Sequence, residues 1–193
     1  MNYVNDWKIS WGGNIQYSDY FNNTSDLYNQ AEYETKFNFY KYGLFGNISK
    51  SFFENKLDLS IGIRTDEDSF SSGSNLTNNL SPRLSTSLSI SKDRRLKWNS
   101  SLGTYYKIPV YTVLGFKNGL GDFSNQDAKY TKSNHFVTGF DFALGNASKL
   151  SIEGFLKKYD QFPISVVDGV SLANKGADFE VLGNENIITN GKG

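Results

Sequence analysis

Five charged residues in this chain of 193 residues are of types that could act together. Asp141 and Glu153 are two carboxylates on neighbouring segments. Such a pair hydrolyses a glycosidic bond only when fixed about 5–10 Å apart across a substrate cleft, and nothing else of such a cleft accompanies them here. Arg64, Asp66 and Arg83 are better read as charges that neutralise one another on a shared polar face, because lone charges are costly away from bulk water. Asp66, Glu67 and Asp68 form an oxygen-rich run that lacks the ordered ligand spacing of a calcium loop, and it reads as a solvated loop rim. His135 is the sole histidine, which excludes multi-histidine metal sites, and it falls on a polar strand face. Cysteine is absent, so disulfides, thiolate metal sites and cysteine nucleophiles are excluded. Acids and bases are equal at 20 each, leaving no electrostatic footprint for nucleic acid. No catalytic residue, metal or cofactor is expected, and the chain is not read as an enzyme.

The elements that carry these residues alternate with a period of two almost throughout. Trp7, Ile9, Trp11, Ile15 and Tyr17 oppose Lys8, Ser10, Gly12, Asn14 and Gln16. Leu57, Leu59, Ile61 and Ile63 oppose Asp58, Ser60, Gly62 and Arg64. Similar runs occur at 36–52, 84–90, 96–108, 136–144 and 150–162, predicting seven antiparallel strands. Tight turns at 53–55, 92–95 and 145–149 alternate with long loops at 18–34, 70–81, 109–132 and 163–193. The strands at 7–17 and 150–162 are expected to be the sheet edges. Mean hydropathy is negative, and no run reaches the roughly 18 apolar residues of a spanning helix. Half-polar strands of roughly ten residues nonetheless suffice to cross a bilayer as a barrel. Aromatics make up 16% of the chain and gather near strand ends, as in the girdles of membrane interfaces. The all-β reading is therefore an antiparallel, up-and-down transmembrane barrel, here as an open fragment. A soluble β-calyx with its apolar face turned inward is the competing architecture. The N-terminal residues show no secretory signal.

Four stretches resemble the barrel of TonB-dependent receptors in their Bacteroidota form. Gly62-Ile63-Arg64-Thr65-Asp66 is similar to a G-x-R-x-D strand top, and Leu80-Ser81-Pro82-Arg83-Leu84-Ser85 to an S-P-R-L-S strand entrance. The strand 103–111, ending Ile108-Pro109-Val110-Tyr111, resembles an aromatic x-P-x-Y ending. The run 152–163, followed by 168–174, completes the order.

The resemblance implies an outer-membrane receptor whose full barrel has roughly 22 strands. This chain, 1–193, would supply about a third of it, with the plug domain lying outside it. Implied partners are outer-membrane lipid, the plug of the same receptor, the TonB complex indirectly, and a scarce ligand of the siderophore, cobalamin or glycan class. Arg64, Asp66, Arg83, Asp141 and Glu153 would then face the lumen, the first three as a ladder. Tyr20, Phe21, Tyr28, Phe116 and Phe123 become candidate ligand contacts on long loops, with self-packing as their alternative role. A porin or adhesin barrel without a plug is the second functional reading.

Overall fold

The computed structural model describes residues 2–4, 7–26, 31–73, 75–145, 147–174 and 187–192. They form one antiparallel sheet whose nine strands pair in chain order. These are β1 (Asn2–Val4), β2 (Trp7–Asp26), β3 (Ala31–Phe52), β4 (Leu57–Asp68), β5 (Ser81–Ser89), β6 (Leu96–Lys107), β7 (Thr131–Ala143), β8 (Lys149–Ser165) and β9 (Ile187–Lys192). A single helical turn, α1 (Tyr111–Leu114), interrupts the strand pattern between β6 and β7. The seven expected strands are β2–β8. The edges differ from expectation, because β1 flanks β2 and β9 flanks β8. Three residues in β1 and six in β9 are too few to display an alternation.

Short connections lie at one rim. At the β3–β4 turn, Phe53, Glu54 and Asn55 all adopt left-handed φ (52°, 56° and 63°), and the Lys56 amide closes onto the Phe52 carbonyl. The opposite rim carries the longer segments.

Register turns the alternation into continuous bands. One apolar row crosses seven strands through Ile9, Ile48, Ile61, Leu84, Leu102, Phe136 and Leu156. A second runs through Phe52, Leu57, Leu88, Trp98, Phe140 and Ile152. Most of these side chains are exposed, Ile61 at 64% and Leu156 at 67%, and none is buried. The other face carries the row Lys8, Ser49, Ser60, Ser85, Ser101, Val137 and Phe155. A trough of about 710 Å³ is lined from Lys8 on β2 to Glu153 on β8, so the polar face is the concave one.

The apolar band has measurable limits on β2 and β3. At the short-turn rim Trp7 meets Phe52 edge-on at 6.3 Å, and further along Tyr17 meets Tyr40 at 5.2 Å. Ten residues from Trp7 to Tyr17 span roughly 33 Å along the strand, or about 25 Å in height at a barrel tilt near 40°, the thickness of an outer-membrane apolar band.

Beyond Tyr17 the chain does not become the loop expected over 18–34. Pairing continues from Ser18↔Phe39 to Asp26↔Ala31. The hydrophobic pattern changes face there while the register holds. Asp19, Asn23, Glu34, Lys36 and Asn38 point outward and are exposed, whereas Phe37 and Phe39 point inward and are buried. On this stretch the outer face is polar and the inner face packs against protein, which inverts the polarity the two faces carry before Tyr17. The segment 163–193 is likewise not all loop, since β8 runs to Ser165 and β9 lies within it.

Candidate functional site: the inner wall and the mouth

The lower inner wall is a lattice of small polar side chains that satisfy one another across strands. Ser51 Oγ donates to Asp58 Oδ1 at 2.5 Å, and Ser60 Oγ to Asn47 Oδ1 at 2.9 Å. Asp141 accepts from Asn99 Nδ2 (2.9 Å) and Ser151 Oγ (2.7 Å) and pairs with Lys149 Nζ at 2.9 Å. Glu153 lies one inward position along, opposite Gly139, and makes no hydrogen bond or ion pair among the described residues. One carboxylate engaged three ways beside a free one is not a poised acid–base pair. The described residues hold no cluster of three or more metal-ligating side chains.

Higher on the wall, Arg64 grips Asp66 through two bonds, Nε to Oδ2 at 2.7 Å and Nη2 to Oδ1 at 2.5 Å. It also reaches Asn14 Oδ1 at 3.1 Å. Gly43 stands opposite Asp66. A Cβ there would collide with the Asp66 carboxylate and lie 2.9 Å from the Thr65 carbonyl, so the absent side chain makes room for the pair. Arg83 does not join them as the expected ladder required. It faces Gly62, one inward position lower than Arg64, and its guanidinium carbon sits 4.5 Å over the Tyr105 ring. Tyr105 in turn lies 4.6 Å from His135.

The mouth contains the only hydrophobic core of the described residues. Phe37, Phe39, Val113, Leu114, Ala128 and Leu172 are buried together, with Tyr20, Phe70, Ile108, Tyr111 and Phe123 packed around them. Phe37 stacks on Phe70 at 4.4 Å, and Phe39 meets Tyr111 edge-on at 5.3 Å. The segment between β6 and β7 thus folds inward over β3 rather than standing in solvent. Hydrogen bonds fix it there: Thr35 Oγ1 donates to the Gly115 carbonyl at 2.7 Å, and Lys41 Nζ to Tyr111 Oη at 2.7 Å.

The acidic run is divided by strand parity, and its expected solvated rim is overturned at Asp68. That residue is 3% exposed and accepts from the Phe70 and Ser71 amides (2.9 and 2.7 Å), Ser71 Oγ (2.5 Å) and Tyr130 Oη (2.8 Å). Burial, and then the Asp68 charge, push the Tyr130 phenol far above its ordinary range. Ser72 N donates to the Gln126 carbonyl at 2.7 Å, so the β4–β5 and β6–β7 segments are tied together. A carboxylate followed closely by Ser was the sequence signal for this turn cap. Its distant Tyr partner had none.

The aromatic candidates separate accordingly. Tyr20 and Phe123 belong to the packed core, and Phe116 stacks on Tyr33 at 6.2 Å. Phe21 is 57% exposed on the outer face, above the apolar band. Tyr28 lies outside the described residues.

The profile of the family described as TonB dependent receptor-like, beta-barrel matches residues 2–192. No curated protein matches the chain. Among solved structures, a chain titled Copper transporter OprC superposes with a TM-score of 0.60 at 18% identity, over 83% of this chain and 29% of that one. At that identity the likeness concerns the fold, and the chain spans under a third of the matched protein. With the family profile covering nearly every residue of an up-and-down sheet, one face apolar and the other polar, the chain belongs to the TonB-dependent receptor β-barrel family.

Proposed function

We propose that the chain is a wall segment of an outer-membrane, TonB-dependent importer, supplying about nine strands of a barrel of roughly 22. Members of the family are transporters rather than enzymes. The observation that carries this reading is the pair of apolar rows crossing the sheet without a polar break, on a face the chain itself leaves uncovered. Such a face is stable against lipid, while the hydrogen-bonded Ser and Asn lattice suits a wet or filled lumen. The short-turn rim is then periplasmic. The folded mouth is extracellular, where β2 and β3 stand clear of the bilayer.

In this role the inner wall faces the plug of the same receptor, and the TonB complex acts on that plug rather than on this segment. Cargo of the siderophore, cobalamin or glycan class passes the mouth formed by the β4–β5 and β6–β7 segments. The test is uptake of cobalamin, ferric chelates and oligosaccharides by cells carrying the whole receptor, with and without TonB. Import that requires both receptor and TonB supports the proposal. Import that persists without TonB identifies a diffusion pore and contradicts it.

A further inference from the structure

High on the inner wall some charged groups are neutralised and Arg83 is not. Arg64 is held by Asp66, and Asp68 is enclosed by four donors. Arg83 has no hydrogen bond and no ion pair among the described residues. The inner-face row through it runs Arg83, Gly103, His135 and Lys157 and contains no carboxylate. Lys157 Nζ lies 5.1 Å over the Phe155 ring, without a carboxylate. The acidic residues of the same face are engaged elsewhere, apart from Glu153, two inward positions below Lys157.

The guanidinium nevertheless has a platform. Gly103 lacks the side chain that would separate Arg83 from His135, and a Cβ there would lie 2.9 Å from Tyr105 Cε2. The Tyr105 ring occupies that space, between the guanidinium at 4.5 Å and the imidazole at 4.6 Å. A guanidinium that rests on an aromatic ring keeps in-plane N–H groups free for an acceptor. A planar fork of donors matches a carboxylate, which it binds through two parallel hydrogen bonds.

We propose that Arg83, seated over the Tyr105 ring with His135 on that ring's other side, is a carboxylate-binding fork on the lumen wall. It rests on the barrel reading above, since only then does this face enclose a lumen. Two sources share the chemistry: a carboxylate-bearing solute in transit, and a carboxylate of the receptor's own lumen-filling domain.

The test is phenylglyoxal modification of the whole receptor in nanodiscs, read at Arg83 by mass spectrometry, with citrate as the probe and its neutral trimethyl ester as control. For a solute site, citrate lowers Arg83 modification about tenfold, within the range of hydrogen bonds to charged groups, and the ester does not. For an internal partner, Arg83 is unreactive without citrate and becomes reactive after the receptor's carboxylates are esterified. Reactivity that citrate leaves unchanged overturns the proposal, as does protection that survives esterification. Gly103→Ala, which displaces Tyr105, is expected to weaken either form of protection. Spin labels on Leu84 and Leu102, on the opposite face of the same strands, report separately whether the barrel reading holds.

Discussion

Tyr130 donates its phenol to Asp68 at 2.8 Å across 62 positions of sequence, and both residues are buried. This bond ties the end of β4 to the segment before β7 at the mouth. Tyr130→Phe leaves a lone pair of a buried carboxylate without its donor, at a cost of about 1–3 kcal/mol. Faster proteolysis within 115–130, with the barrel band unchanged on unheated gels, is the expected readout.

The same bond sets an alkaline limit. The phenol's folded-state pKa is raised by burial and by Asp68, whereas an opened loop releases that proton near about pH 10. A raised pKa contributes stability that is full below the opened-state value and is lost as pH climbs above it. Loop protection should hold from neutrality to about pH 10 and decline beyond, and Tyr130→Phe should abolish that decline.

Phe37 anchors the mouth through rings on four other residues within 6 Å: Tyr20, Phe39, Phe70 and Phe123. Phe37→Ala should cost about 3–5 kcal/mol of local packing. Because Phe37 lies beyond the Tyr17–Tyr40 boundary, hydrogen exchange should rise in 69–80 and 109–130 while β4–β8 stay protected.

Two glycines on β3 make a paired test. Gly43→Ala drives a methyl into the Asp66 carboxylate and the Thr65 backbone, and should lower the unfolding temperature through overpacking of about 1–3 kcal/mol. At Gly46 the nearest atom to an added Cβ is Ile63 Cγ2 at 4.0 Å, so Gly46→Ala should fold and melt like the parent.

The sheet was legible in the sequence where each face has a single solvent. Along β4, Leu57, Leu59, Ile61 and Ile63 announce a strand because one face stays apolar and the other polar over that run. On β2 and β3 the polarity of the faces inverts between Tyr17 and Tyr20, and between Tyr40 and Phe39. A reader of alternation therefore meets a break and infers a loop. The Arg64–Asp66 pair was legible as an i, i+2 contact on one face. The stacking of Arg83 on Tyr105 was not, because it depends on β5–β6 register and on the space left by Gly103. The closure of 109–130 over β3 depends on contacts about 80 positions apart, which carry no local pattern.

The proposed barrel wall requires the row through Leu84, Leu102 and Phe136 to face lipid while Ser85, Ser101 and Val137 face the lumen. The chain contains no cysteine, so spin labels can be placed in it singly. The direct measurement is label relaxation by oxygen, which partitions into lipid, against relaxation by a water-soluble nickel chelate, in the reconstituted receptor. High oxygen and low nickel access at Leu84 and Leu102, with lower oxygen access at Ser85 and Ser101, is the predicted result. Low access to both reagents at Leu84 and Leu102 would place the apolar face inside a protein core and contradict the barrel wall.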